Sequence, residues 1–263
     1  MSEFPDQDAS AWDEQAVMDL LLDLHLPHER QGPGSADATM LAWDLAGLDR
    51  ATPYRVLDIG SGTGAATLTI ASETASNVAA VDLLTPFVAE LSRRAMQRGV
   101  DGRVTALQAS MDDLPFADGD FDVVWAEGSA YNIGFEAAIR AWRRLLRPGG
   151  MLVASEITWL TAARPPALED HWNTEYPEID LASAKFGVLE RHGFSPTGYF
   201  VLPEDCWREG YYEPILQDLD SLLERHPGAL AEHVVLAERE EAALYDAYSA
   251  HFGYGMYIAR RVA

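Results

Sequence analysis

With 263 residues, 48% of them apolar, the chain is long enough for one α/β domain carrying a helical elaboration. Its 19 basic and 42 acidic residues leave a formal charge of −23, which disfavours nucleic acid and anionic lipid as partners. No apolar run approaches the ~20 residues of a membrane helix, the acidic opening MSEFPDQDAS lacks the marks of a secretory signal, and the lone Cys206 permits no internal disulfide, so a cytoplasmic location is expected.

Ser10 can cap a first helix, whose Trp12, Val17, Leu20, Leu21 and Leu24 form one apolar stripe ending before Pro27. A turn-rich connection from His28 to Gly34 follows, and Ser35 can cap a second helix running to about Gly47. From Tyr54 the pattern becomes strand–helix alternation, the signature of a mostly parallel sheet covered by helices. It predicts strands over 54–59, 77–81, 103–109 and 121–126, with helices from the first glycine turn to about 73 and over 85–97. Phe135, Ile139, Trp142 and Leu146 have helical spacing, which Pro148-Gly149-Gly150 stops. Arg140, Arg143, Arg144 and Arg147 fall along the same helix as a solvated face. A fifth strand over 151–157, a helix over 181–192 and strands over 194–202 and 252–260 complete the pattern. Roughly fifty residues rich in Leu, Glu and Ala separate the last two strands, too many for a simple loop. They read as two or three helices, serving either as a lid over a site or as the interface of a homodimer.

The strongest signal is Val56-Leu57-Asp58-Ile59-Gly60-Ser61-Gly62-Thr63-Gly64, an apolar strand entering a turn with three glycines. Glycine there permits positive φ and lets a ligand press on bare backbone. The next helix points its free N–H groups at that ligand. Asp82 ends the second strand, where a carboxylate can accept from ribose hydroxyls. Gly60, Gly62 and Ala65 also match the G-x-G-x-x-A spacing of dinucleotide folds, a weak signal alone. Asp58 decides between the two cofactor classes. It would repel a pyrophosphate and attract a sulfonium and an α-amino group.

This segment resembles motif I of the class I S-adenosylmethionine-dependent methyltransferases. Asp82, the run from Ser110 to Phe116, Phe121-Asp122-Val123-Val124 and Leu146-Arg147-Pro148-Gly149-Gly150 resemble further family segments. The resemblance covers roughly residues 30–203, rejoins near 252, and is nearest to the ubiquinone/menaquinone-methyltransferase-like branch of bacterial small-molecule enzymes. It implies a Rossmann-like seven-stranded sheet, mostly parallel, with the last strand antiparallel and helices on both faces. The chain would then be one domain: a helical cap over 1–50, the core over 51–203, a helical lid insertion over 204–250 and the final strand over 251–263.

The resemblance also implies S-adenosyl-L-methionine as cofactor, with S-adenosyl-L-homocysteine as product. Asp58, Gly60, Ser61 and Gly62 would lie against its methionine part, and Asp82 would hold its ribose. Leu83 would pack on the adenine, and Met111 with Asp112 would border it. Many relatives have Asp where this chain has Ser110, so Ser110 or Asp112 would take the adenine amino group. Gly32, Pro33 and Gly34 stand where relatives carry a segment that closes over the cofactor. Glu127, at the end of the fourth strand, joins this set.

The reaction needs an aligned nucleophile and exclusion of water, and a base only if the acceptor arrives protonated. No metal is required, and the histidines show no ligand spacing. Acceptor contacts are expected from Glu127, Gly128, Ser129, Tyr131 and Asn132 after the fourth strand, and from Glu156 at the end of the fifth. His171, in the loop beyond, is a candidate base, and its neighbour Trp172 reads as packing. Trp207, Tyr211 and Tyr212 open the insertion and would either clamp a flat or cationic substrate by stacking or cation–π contact or, the preferred reading, glue the insertion to the core. Glu127 and Glu156 lean toward a neutral or cationic small-molecule acceptor. The competing readings are other chemistry on the same scaffold, a cofactor-binding regulatory protein, and a nicotinamide dehydrogenase, which Asp58 argues against.

Overall fold

The computed structural model describes residues 12–262. Ser10, read as a cap, lies outside them, and Asp13 caps α1 (Glu14–His25) by accepting the Gln15 N–H at 3.2 Å. Ser35 caps α2 (Ala36–Leu45), its hydroxyl accepting the Ala38 N–H at 3.0 Å.

Eight strands follow: β1 (Arg55–Ile59), β2 (Asn77–Asp82), β3 (Val104–Gln108), β4 (Phe121–Ala126), β5 (Leu146–Trp159), β6 (Asp180–Leu181), β7 (Phe194–Val201) and β8 (Phe252–Arg261). Seven of them form a sheet in the order β3-β2-β1-β4-β5-β8-β7, and the two-residue β6 pairs with the end of β5. Only β8 runs against its neighbours, β5 and β7. The strand order reverses between β1 and β4, and ligands of open α/β sheets bind beyond the strand ends at such a point. The short β6 was not foreseen, because two residues carry no period.

Helices α3 (Ala65–Glu73), α4 (Thr85–Arg98), α5 (Phe135–Trp142), α6 (Pro166–Glu175) and α7 (Ala182–Arg191) accompany the sheet. Between β7 and β8 lie α8 (Glu204–Trp207), a π-helical stretch (Arg208–Tyr212), α9 (Glu213–Arg225) and α10 (Ala229–Tyr248). The pleat sorts the core into two layers, as expected for strands covered on both faces. Val56, Trp125 and Val153 pack in the layer of Trp43 and the inserted helices. Leu57, Val124 and Leu152 pack in the layer of Ile139 and Trp142.

Two expectations need correction. The helix ends at Trp142, a 3-10 turn (Arg143–Leu145) follows, and Leu146 already pairs with Phe121 as strand. Helix and strand both place Leu146 inside, so spacing could not separate them. The four arginines therefore do not share one helix face. Arg144 donates to the Phe116 and Leu114 carbonyls at 2.7 and 2.9 Å, and Arg147 to Asp122 at 2.5 Å.

Gly64 starts α3 with φ of 97°, and a Cβ there would overlap the fully buried Leu91. Gly64→Ala is expected to cost ~2 kcal/mol or more through strain and overpacking. Urea unfolding checks this: the midpoint should fall while the slope is unchanged.

Candidate active site

β1 delivers Asp58 and Ile59 to a turn in which Gly60, Gly62 and Gly64 all have positive φ (71°, 54° and 97°). The N–H groups of Gly60 and Ser61 donate to the Val81 carbonyl at 2.9 and 3.0 Å, tying the turn to β2. Asp82 completes the tie. Its Oδ2 accepts the Gly62 N–H at 2.8 Å and its Oδ1 the Leu84 N–H at 2.9 Å. A Cβ at Gly60 would overlap Ser129, and one at Gly62 would overlap Gln31. The notch is thus walled by the loop after β4 and by a strap over residues 26–34. Between them lies a cavity of about 70 Å³, lined by Asp58, Glu127, Gly128 and Arg30 to Gly32 among others. A neighbouring cavity of about 300 Å³ lies between the strap, Ala65 and Tyr211.

Asp58 is 2% exposed and pairs with no basic group among the described residues. Thr67 Oγ1 donates to its Oδ2 at 2.5 Å. Burial pushes its carboxyl up to about 7, Thr67 opposes this, and the charges of Glu127 and Asp82 add to it. Burial also raises the pKa of Asp82. The Ser61 hydroxyl is buried without a hydrogen-bond partner among the described residues. A notch with bare backbone, an uncompensated carboxylate and an unpartnered hydroxyl suits a ligand bearing a cationic group.

Glu127 is held from three directions. Arg30 Nη1 donates to Oε2 at 2.9 Å, while Thr39 Oγ1 and Trp125 Nε1 donate to Oε1 at 2.7 and 2.9 Å. Such a carboxylate is built to orient rather than to abstract a proton. The strap that carries Arg30 is itself pinned. The Thr63 N–H donates to Gln31 Oε1 at 2.9 Å, and Arg94 of α4 donates to the carbonyls of Leu26, Pro27 and His28 at 3.1, 3.2 and 2.9 Å. Removing these bonds, each worth about 1 kcal/mol, should loosen the strap. Arg94→Ala is expected to speed amide exchange over residues 26–34 roughly tenfold or more, leaving the sheet protected; unchanged exchange there would refute the clamp.

Gly32 lines the smaller cavity and Gly34 the larger. A side chain at Gly34 would overlap Arg30. Leu83 stands 61% exposed beside Asp82. Ser110 donates to Asp112, so those two polar side chains engage each other. Met111 reaches to Gly60, and Trp142 Nε1 donates to its carbonyl at 2.9 Å.

Tyr131 and Asn132 lie in a 3-10 turn (Ala130–Ile133) directly after the cavity wall. Asn132 Nδ2 donates to the Ser129 carbonyl at 3.0 Å. Tyr131 meets Tyr176 edge-on, with ring centroids 6.3 Å apart. Glu156 is 1% exposed, and its Oε1 accepts from Tyr176 Oη at 2.6 Å and from Lys185 Nζ at 3.0 Å. Its Oε2 is buried with no partner among the described residues. Burial raises the Glu156 pKa and Lys185 opposes it. His171 requires correction. It sits on α6, not in a loop, and is exposed with its ring against Trp172. A helix there presents it to solvent and removes the reason to read it as a base. Trp207, Tyr211 and Tyr212 are buried, and Trp207 stacks on Tyr245 at 4.4 Å and on Tyr254 at 5.0 Å. They cement the insertion to β8.

Residues 56–150 match the family model described as a methyltransferase domain. The resemblance to class I S-adenosylmethionine-dependent methyltransferases holds in sequence and in fold. The chain is 34% identical over 116 residues to the 27-O-demethylrifamycin SV methyltransferase of Amycolatopsis mediterranei, a match spanning 44% of this chain and 42% of that protein. It is 30% identical over 158 residues to the ubiquinone/menaquinone biosynthesis C-methyltransferase UbiE of Sinorhizobium fredii, covering 56% of each. The chain thus spans about half the length of the curated relatives it matches. A solved methyltransferase from Geobacter sulfurreducens, in complex with S-adenosyl-L-homocysteine, superposes with a TM-score of 0.79 at 21% identity, over 93% of this chain and 97% of that one. The [4+2]-cyclase SpnF superposes at 0.75 with 24% identity, over 94% of each chain.

Arg30, Gln31, Thr39, Thr63, Arg94, Tyr176 and Lys185 were not singled out by sequence as site residues. Lys185 carried a signal nonetheless, because it is the only lysine among the 19 basic residues.

Proposed function

We propose that this chain is a methyltransferase that uses S-adenosylmethionine to methylate a small molecule. The observation that carries the reading is Asp58, a buried carboxylate with no cationic partner among the described residues, set against a glycine turn that admits a ligand to the backbone. When bound, the cofactor supplies an electrophilic methyl on a positively charged sulfur, ready for displacement by the acceptor's lone pair. Asp58 attracts the positive charge of the methionine part, and Gly60 and Gly62 let it approach. Asp82 stands at the ribose position. Arg30 and Gln31 hold the strap over the notch, which keeps water from the reacting groups. The loop from Gly128 to Asn132 and Glu156 face the acceptor side.

Calorimetric titration with S-adenosylmethionine, S-adenosylhomocysteine and NAD tests the cofactor. Binding of the first two at roughly micromolar Kd (about −8 kcal/mol) is expected, with none for NAD. In Asp82→Ala the affinity should fall at least about tenfold, because the glycine turn loses its anchor. Tight binding of NAD alone would sink the reading. The cyclase neighbour shows that this fold also serves chemistry of another kind. Transfer of a labelled methyl from the cofactor into small molecules of a cell extract separates the two, since a non-methylating enzyme moves no label.

A further inference from the structure

An ion pair joins the two walls of the cofactor notch. Arg30 comes from the strap and Glu127 from the end of β4. Their side chains are 10% and 9% exposed, and Arg30 Nη1 donates to Glu127 Oε2 at 2.9 Å. Thr39 of α2 braces both partners. Its Oγ1 accepts from Arg30 Nη2 at 3.3 Å and donates to Glu127 Oε1 at 2.7 Å. A Cβ at Gly34 would overlap the Arg30 guanidinium and stand 3.4 Å from Glu127 Oε2, so glycine at that position leaves the pair its space.

The pair also divides the space around it. Two residues, Arg30 and Ala65, line both the cavity of about 70 Å³ at the glycine turn and the one of about 300 Å³ beyond the strap. Ala65 is a single methyl fixed on α3, so Arg30 is the part of the partition that can move. Pockets for small ligands run to about 300–1,000 Å³, several times the smaller cavity. The larger cavity gives the Arg30 side chain room on leaving the carboxylate.

We propose that Arg30 is a latch on the cofactor notch: it must leave Glu127 before the amino-acid end of the cofactor enters, and the pair sets how often the notch stands open. A protein that must rearrange before binding associates more slowly, in proportion to the fraction that is competent. One charge-assisted bond changes such a fraction by a factor of roughly 10 to 150. Arg30 is thus a positioning residue. The assignment rests on the methyltransferase reading and adds the step that admits the cofactor.

The test mixes the full chain with S-adenosylhomocysteine in a stopped-flow instrument. The fluorescence of the seven tryptophans reports binding, and one of them, Trp125, donates to Glu127 at 2.9 Å. The ligand is a zwitterion without net charge at pH 8, so altering one charge on the protein changes its long-range attraction little. Arg30→Met, similar in length but without donors, should raise the association rate constant at least about tenfold. Arg30→Lys keeps a cation for Glu127 and should stay within about threefold of the parent. Glu127→Gln opens the pair from the other side, should speed association likewise, and serves if Arg30→Met fails to fold. The double variant should gain nothing further, because both changes remove the same bond. Association no faster in either single variant, a lysine variant as fast as the methionine one, or additive gains would overturn the latch. So would a variant in which dissociation alone quickens, since Arg30 would then grip the bound ligand. A parent chain that binds no S-adenosylhomocysteine would instead sink the methyltransferase reading itself.

Discussion

Asp58→Asn is expected to stabilise the ligand-free protein at pH 8 and at the same time weaken its hold on S-adenosylmethionine. The carboxyl's ordinary value is 3.8, and burial in the fold pushes it up to about 7. Between those values the folded chain keeps a proton that the unfolded chain gives up, so stability falls as pH rises through the window. The penalty is absent below the unfolded value and complete above the folded one. Asn carries no proton to lose and can still accept from Thr67. The variant should therefore match the parent near pH 4 and exceed it increasingly up to pH 7, after which the difference levels off. Binding should move the other way. A charge-assisted contact contributes about 1.5–3 kcal/mol, so the Kd for S-adenosylmethionine should rise roughly 10- to 150-fold. Urea melts at several pH values and one titration at pH 8 check both halves. A variant no more stable than the parent at pH 8, or one with unchanged affinity, would remove Asp58 from its assigned place.

A large loss of stability is expected from Lys185→Met. Lys185 is 3% exposed and Glu156 1%. Besides Glu156, its Nζ donates to the Glu178 carbonyl at 2.7 Å and lies 4.9 Å from the centroid of the Phe135 ring. Removing the cation strands a buried carboxylate, which costs about 3–5 kcal/mol. For a chain of this size that corresponds to a fall in Tm of roughly 10 °C. Adding Glu156→Gln removes the stranded charge, keeps an acceptor for Tyr176, and should restore much of the loss. Additive losses in the double variant would mean that the two groups act independently.

The fold was legible because its signals are local. Alternating apolar strands, the three glycines of the turn and the Ser35 cap each declare themselves within a few residues. The boundary at Leu146 was not, since a helix ending and a strand beginning there bury the same side chain. The site was legible only on its β side. Asp58, Gly60, Gly62 and Asp82 belong to strand ends, where position follows from order along the chain. Arg94 pins a strap some 65 residues earlier, and Arg30 reaches Glu127 across 97. No spacing encodes such partners. His171 was misplaced for a related reason: the Pro-rich stretch Arg164-Pro165-Pro166 reads as a connection, yet Pro166 begins α6, since the first helical turn tolerates proline.

The strap and the insertion are joined to each other as well as to the core. The Gly34 N–H donates to the Cys206 carbonyl at 3.1 Å, and Gly210 lies so close to the Gly34 carbonyl that it has no room for a side chain. The strap over the glycine turn and the start of the insertion are therefore held to each other by backbone contacts. In steady-state terms this predicts a compulsory sequence: the donor enters first, the acceptor second, and the spent donor leaves last. Initial-rate plots against either substrate should then intersect, and S-adenosylhomocysteine should compete with S-adenosylmethionine but not with the acceptor.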